Sequence, residues 1–418
     1  MKLLVFGGAF DPPHAGHREL LKVAAEKTEA DEILVIPTAL PPHKKEKTPF
    51  SYRFEMAELA FGDMARVSDM EKHIIPSYSF VTLEKLWEEY GCKPYFAIGG
   101  DSVKAFSTWR EPGKIAASCV IVAVRRGGED LESRLRYLER EFNAEILRTD
   151  KEITDISSCE LRVLLEFENA LGEVREYTDK RAGDYILPSV LSYIGKQKLY
   201  SVHTDSIRRI AQALKPARLR HTYFVTLTGS EIAHSEGLDA DEVFQACLLH
   251  DCAKYMLPLS REYGIDPDAY PEPVLHAFLG AKVAEREYDV SDADILNAVK
   301  FHTTGRPGMS KLEKTVYTAD YAAEGRGDFA LPVRRALKLF GLETGFKTAL
   351  LSCYSYLLKE KGKDMFHLTA DCFEYYASRD PDMFKALSEG SEGAAEAYLD
   401  FKTAKECIKN GENCNDCI

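Results

Sequence analysis

The sequence predicts two fold classes in one chain: an α/β domain built on a parallel sheet, followed by an all-α helical bundle. Three observations predict this. Short apolar runs alternate with amphipathic segments over residues 1–125. After about Val202 the apolar residues recur only at helical spacing. The 418 residues are too many for one ordinary domain.

In chain order, Lys2–Phe6 reads as a strand, Gly16–Ala25 as a helix and Glu32–Ile36 as a second strand. Phe54–Phe61 and Phe80–Tyr90 read as helices, and Pro94–Ile98 and Cys119–Val124 as further strands. Strands alternating with helices imply a parallel sheet, whose ligands sit at the carboxyl ends of the strands. In the second half, Phe244, Cys247 and Leu248 share a helix face, as do Ile295 with Val299 and Leu351 with Tyr354 and Leu358. The expected division is 1–200, 201–378, and a helical or flexible tail over 379–418, with a short join near Leu199–Asp205.

Composition narrows the function. Hydrophobic residues make up 45% and charged residues 29%, ordinary for a soluble protein. The net charge of −13 disfavours a partner with a long phosphate backbone, so no nucleic acid is expected. Small phosphorylated substrates remain compatible, because local cations and backbone N–H groups bind them. No apolar stretch suits a membrane span and the N-terminus lacks a signal-peptide pattern, so a cytoplasmic protein with reduced cysteines is expected. The sequence does not give an oligomeric state.

The strongest early pattern is Gly7-Gly8-Ala9-Phe10-Asp11-Pro12-Pro13-His14-Ala15-Gly16-His17, directly after the first strand. Glycines there let backbone approach phosphate, and the following helix presents free N–H groups. His14 and His17 are spaced to face one ligand and to stabilise charge on a reacting phosphorus.

This arrangement resembles the HxGH nucleotidyltransferase superfamily, with its Rossmann-like domain. Further stretches resemble its bacterial nicotinate-nucleotide adenylyltransferases: Pro37-Thr38-Ala39-Leu40-Pro41-Pro42-His43-Lys44, Ser51-Tyr52-Arg53, Ser77-Tyr78-Ser79 with Thr82-Leu83, Ile98-Gly99-Gly100-Asp101 with Trp109, and Ile156-Ser157-Ser158-Cys159-Glu160-Leu161-Arg162. The resemblance implies ATP, with Mg²⁺ on its triphosphate, and nicotinate mononucleotide as substrates. It implies catalytic roles for His14, His17, Lys44 and Arg162. It implies ATP contacts at Gly7, Gly8, Phe10, His14, His17, Gly100, Asp101, Ser157, Ser158 and Arg162, and mononucleotide contacts at Thr38, Lys44, Arg53, Thr82 and Trp109. Physically, Lys44 and Arg53 can pair with phosphate, and Trp109 can either stack a pyridine or fill a core. The family usually has Thr where this chain has Cys159, which removes one hydroxyl contact to ATP.

In the second half, His221, His250-Asp251, His276, His302 and Asp320 each fall on or beside a predicted helix. Imidazole and carboxylate suit Fe, Mn and Zn, and helices can project both into a bundle interior. Neighbouring residues on a helix point about 100° apart. Adjacent His250 and Asp251 therefore need a site between two helices, or two metals with Asp251 bridging.

This half resembles the HD phosphohydrolases. Arg218-x-x-His221, His250-Asp251-x-x-Lys254, Leu275-His276-Ala277, His302-Thr303-Thr304-Gly305 and Ala319-Asp320 with Arg326 are similar to the symmetrical diadenosine tetraphosphate hydrolase branch. The resemblance implies two divalent metals, iron expected, on His221, His250, Asp251, His276, His302 and Asp320. Asp251 and Lys254 would be catalytic, with Thr303, Arg306 and Arg326 on the substrate, which would be diadenosine tetraphosphate. The same ligands suit another nucleotide or phosphate ester, or a nucleotide sensor regulating the first half. The terminal Cys407, Cys414 and Cys417 read as an exposed, frayed end.

Overall fold

The computed structural model describes residues 1–40, 48–74, 76–126, 131–172, 174, 177–389 and 393–410, with no side chain described at 363 or 406–410. The chain forms two compact units, residues 1–169 with 180–202, and residues 170–179 with 203–418.

The first unit is built on six parallel strands: β1 (Leu3–Gly8), β2 (Glu32–Pro37), β3 (Arg66–Val67), β4 (Tyr95–Gly99), β5 (Val120–Arg126) and β6 (Glu145–Ile153). Their order is β3-β2-β1-β4-β5-β6. Chain direction around the sheet reverses between β1 and β4, which opens a crevice at their carboxyl ends. Helices α1 (Ala15–Thr28), α2 (Phe50–Phe61), α3 (Ser79–Tyr90), α4 (Gly100–Ala105), α5 (Pro112–Ser118), α6 (Glu132–Phe142), α7 (Ser158–Leu171) and α8 (Pro188–Gln197) accompany it.

The local causes are visible in the residues. Leu3, Leu4, Val5 and Phe6 are all buried, because helices cover both faces of a parallel sheet. One face packs Val5, Ile36, Phe96, Ile98 and Ile121 against Leu83 and Leu86 of α3 and Phe106. Helix α1 buries Leu20, Leu21 and Ala24 and stops at Glu29, whose left-handed backbone returns its N–H to the Ala25 carbonyl. The elements expected from sequence are present with bounds moved by a few residues. The edge strands β3 and β6 and helices α4 to α6 were not anticipated.

The second unit is helical: α9 (Thr204–Ala213), α10 (Pro216–Glu236), α11 (Ala240–Leu249), α12 (Glu272–Glu287), α13 (Ala293–Phe301), α14 (Lys311–Ala322), α15 (Leu331–Phe340), α16 (Leu342–Lys361), α17 (His367–Ala377), α18 (Pro381–Glu389) and α19 (Ala394–Asn410). Helix α10 buries residues on every side, including Leu219, Tyr223, Val225 and Ile232, and packs on α11 and α14. Asp239 and Asp292 cap α11 and α13 by accepting from their first-turn N–H groups, and Ser310 and Glu313 form a capping box on α14.

The described part of the region after 379 is helical and packs into the core. Met383 and Ala386 of α18 and Ala394 and Tyr398 of α19 join the core of Phe346, Leu350 and Phe373. Asp380 accepts from Tyr398 Oη at 2.8 Å, Lys402 at 2.9 Å and Lys347 at 3.2 Å, which ties α16, α18 and α19 together. Cys414 and Cys417, and the Cys407 side chain, lie outside the described residues.

Candidate active sites

The first site grows from the end of β1. The chain leaves Gly8 through Phe10, whose φ of 52° is left-handed and whose ring is clamped among Phe6, Phe61 and His17. A Cβ on Gly8 would stand 3.1 Å from the Phe10 ring. One on Gly16 would stand 3.0 Å from the Thr154 carbonyl and 3.3 Å from the His14 ring. That crowding explains glycine between the two histidines.

His14 and His17 stack with ring centroids 3.7 Å apart. Each has a buried Nδ1 without a hydrogen-bond partner. Burial pushes the His17 pKa down to about 3, with the Arg126 cation adding to the shift. Burial, His17 and Arg126 lower His14 in the same direction. Both rings are therefore neutral at neutral pH, so each can donate one N–H to an anion. His14 also lines a cavity of about 300 Å³ with Arg18 and Tyr185.

The start of α7 is tied to this loop. Ser157 Oγ accepts from the Glu160 N–H at 3.0 Å, Ser158 Oγ donates to the Pro12 carbonyl at 2.9 Å, and Arg162 donates to the Asp11 carbonyl at 2.7 Å. Tyr200 Oη donates to Asp11 Oδ1 at 2.6 Å. Gly100 opens α4 directly after β4, and the exposed Asp101 pairs with Arg126 at 2.9 Å. Trp109 is half-buried, tilted against Phe106 at 5.4 Å and edge-on to Phe96.

Two residues expected on the mononucleotide have partners within the fold. Arg53 is 1% exposed and donates to the carbonyls of Thr48, Ala9, Thr38 and Ala39 at 2.7–3.2 Å. Through these four carbonyls it holds the loops after β1 and β2 together. The Thr82 hydroxyl is buried and donates to Glu71 at 2.7 Å, so it is not presented to a substrate. Thr38 itself contributes its carbonyl to Arg53. Lys44 lies outside the described residues. Arg126 and Glu71 escaped the sequence reading: neither sits in a short motif, and only folding brings them near the site.

The second site is assembled by five helices. His221 comes from α10, His276 from α12 and Asp320 from α14. His250 caps the end of α11 and Asp251 begins the turn after it. The helix ends between them, which resolves the angular problem of adjacent ligands. His302 caps α13 in the same way. At both caps the ring Nδ1 meets the carbonyl three residues back, Cys247 at 2.6 Å and Val299 at 2.8 Å. A carbonyl only accepts, so Nδ1 carries the proton and Nε2 turns its lone pair into the cluster.

Two overlapping groups can each hold a metal ion: His221, His250 and Asp251, and Asp251, His276 and His302, each with ligand atoms within 4.8 Å of one another. Asp251 belongs to both. Asp320 Oδ1 is 2.8 Å from His221 Nε2. His276 Nε2 faces His302 Nε2 at 3.3 Å. Burial pushes the His302 pKa down to about 3, helped by His250 and His276, and burial lowers His276 too. Two neutral nitrogens at that separation favour a cation near them. His250 Nε2 and Asp251 Oδ1 are buried without a hydrogen bond; Asp251 Oδ1 lies 3.1 Å from His276 Nε2 but outside bonding geometry. Burial works against charge on Asp251, yet His250, His276 and His302 outweigh it and hold its pKa well below the carboxylate range. Neutral imidazole and ionised carboxylate are the forms that ligate metal; burial works to lower His250 as well, but Asp251 and Asp320 outweigh it and raise its pKa.

Cations surround the cluster. Arg218 reaches Asp251 at 2.9 Å, Lys254 lies 3.2 Å from His276 Nε2, and Arg326 bonds Asp320 and approaches His221. The Thr303 hydroxyl is buried without a partner. Arg306, expected on the substrate, makes a bidentate pair with the fully buried Glu313 at 2.6 and 2.8 Å, which anchors α14. Among the described residues no helix is long and apolar enough to cross a membrane.

Comparison with known proteins follows the same division. The Cytidylyltransferase-like family model matches residues 5–164 and the HD domain model residues 218–325. A Solibacter usitatus protein named "Probable nicotinate-nucleotide adenylyltransferase" is 36% identical over 207 residues, 48% of this chain and 100% of the relative. A Mycoplasma genitalium protein named "Probable nicotinate-nucleotide adenylyltransferase/Ap4A hydrolase" is 27% identical over 330 residues, 76% of this chain and 86% of the relative. A solved HD superfamily hydrolase from Clostridium acetobutylicum matches with 28% identity and a TM-score of 0.37, covering 42% of this chain and 97% of its own. The chain belongs to the nicotinate-nucleotide adenylyltransferase family and carries an HD hydrolase domain in its second half.

Proposed function

We propose that the first unit transfers AMP from ATP to nicotinate mononucleotide, and that the second hydrolyses diadenosine tetraphosphate symmetrically to two ADP. For the first reaction, a phosphate oxygen of the mononucleotide attacks the α-phosphorus of ATP, pyrophosphate leaves, and deamido-NAD results. The carrying observation is the pair of stacked, neutral imidazoles at the reversal point of the sheet. Their N–H groups can bind phosphate oxygens as charge gathers, while Arg126 supplies positive potential without a bond to make or break. Mg²⁺ accompanies the triphosphate, and Lys44 adds a cation from the segment before α2.

For the second reaction, water cleaves the central P–O–P bridge. The carrying observation is the pair of ligand groups sharing Asp251, and the Mycoplasma genitalium relative's name supports the substrate. His221, His250, Asp251, His276, His302 and Asp320 would hold two divalent ions, iron in this reading, since imidazole–carboxylate sets suit such borderline metals. Bound there, the ions supply Lewis acidity and an acidified water. Lys254 and Arg326 face the phosphates, and Thr303 offers a hydroxyl.

Product analysis of the full-length chain tests both readings. ATP with nicotinate mononucleotide should yield deamido-NAD and pyrophosphate. Diadenosine tetraphosphate should yield ADP alone. ATP plus AMP as products, or no turnover with iron or manganese loaded, would refute the second reading, and metal analysis of the purified protein identifies the ions.

A further inference from the structure

The ligand cluster accounts for attack on phosphorus but not for holding the two ends of a long dinucleotide. Its mouth differs from the rest of an acidic chain. Arg218, Lys254 and Arg326 contact the ligands directly, and Lys215 precedes Arg218 by one helical turn at the start of α10. Two exposed aromatic rings closely follow rim residues in the sequence. Tyr255 directly follows Lys254, is 45% exposed, and has Lys215 Nζ 4.9 Å from its ring centroid. Phe329 follows the Arg326 turn, is 53% exposed, and meets Tyr321 edge-on at 5.3 Å.

Backbone conformation favours this placement. Gly325 and Gly327 flank Arg326 with φ of 84° and 83°, values that side-chain-bearing residues rarely adopt. The chain can therefore reverse after α14, so that Arg326 turns back onto Asp320 while Phe329 stays outward. The two rings are attached to different parts of the cluster. Lys254 leads to the group of Asp251, His276 and His302, whereas Arg326 leads to His221 and Asp320.

We infer that Tyr255 and Phe329 are stacking platforms for the two adenine bases of a dinucleoside polyphosphate, one ring for each base, with the basic rim between them taking the phosphates. This rests on the hydrolase reading above. An exposed ring gains by covering its apolar face, and any purine offers a matching π-face. Two platforms suit a substrate with a base at each end. Seating both bases would also centre the bridging oxygen over the ligand cluster and so select symmetrical cleavage.

The test is steady-state hydrolysis of diadenosine tetraphosphate by the full-length, metal-loaded chain carrying Tyr255→Ala or Phe329→Ala. Each should raise KM about tenfold, in line with the loss of one stacked base, with a smaller change in kcat. Competitive inhibition by inorganic tripolyphosphate, which has no base, should stay the same. Tyr255→Phe and Phe329→Tyr, which keep a ring, should recover KM. An unchanged KM in either alanine variant, or weakened tripolyphosphate inhibition to the same degree, overturns the paired platforms and leaves the hydrolase reading standing. Failure of the unaltered chain to cleave diadenosine tetraphosphate overturns both.

Discussion

At the first site His14 is the extended cap residue before α1 and His17 lies in the first turn, and the supporting groups are backbone carbonyls of the loops beside it. At the second, His221, His250, Asp251, His276 and His302 meet as two groups around one aspartate, with Asp320 of α14 beside His221. The first is therefore a local device carried by a strand–loop–helix junction, and its failure modes are local. The second exists only while α10 to α14 stay packed, and it concentrates several interactions on Asp251. A buried polar group with many partners is the place where one substitution does most damage.

The sharpest way to break that contrast is Asp251→Ala. Hydrolysis should fall by more than about 10³-fold, because both ligand groups lose their shared member. Metal content measured by elemental analysis should fall with it, while adenylyl transfer stays within about twofold. Loss of both activities in a folded protein would refute the independence of the sites.

The second largest effect is expected for His17→Ala, about 10² to 10³-fold on adenylyl transfer, the range for removing one preorganised donor. Hydrolysis of diadenosine tetraphosphate in the same preparation should be unaffected. A loss below about fivefold would show that the stacked pair is a packing feature.

Arg53→Lys separates structure from substrate contact. Lysine keeps the charge but cannot reach four carbonyls at once. We expect a stability loss of about 3 kcal/mol in chemical denaturation, since buried donors and acceptors lose their partners. Unchanged stability with a raised mononucleotide KM would restore the phosphate-pairing role.

The smallest effect is on pH. With its pKa pushed down to about 3, His17 stays neutral when folded but takes a proton near pH 6.5 when unfolded. The unfolded state therefore binds more protons between those values, and stability falls as pH drops from 6.5 toward 3. At pH 5 the loss from this group is about 2 kcal/mol, and His17→Gln should show a shallower decline. The His17 ring resonances should not titrate between pH 8 and 5; a midpoint near 6.5 would contradict the burial argument.

Periodicity along the chain was enough to identify the parallel-sheet domain and the helical domain, because buried strands and helix stripes write their spacing into neighbouring residues. The edge strand β6 escaped because Glu145–Ile153 is largely exposed and mixes charge with apolar residues, so no buried run marks it. Likewise the helical or flexible tail expected over 379–418 gave no sign that Met383 of α18 and Tyr398 of α19 belong to the core. Side-chain chemistry was harder to foresee. Arg53 and Arg306 fall in or beside the site motifs, and their sequence context suggests phosphate. Folding instead surrounds one with carbonyls and sets the other on Glu313.

The amino-acid order by itself indicated the two fold classes and the His14–His17 pair through residue type and short-range spacing, and the six candidate ligands through resemblance to the HD phosphohydrolases. Only tertiary structure decided that His250 and Asp251 straddle a helix end, that Asp251 joins both ligand groups, and which arginines face the cluster. Those outcomes depend on which carbonyls and carboxylates distant segments bring within a few ångströms, and no local pattern records that distance.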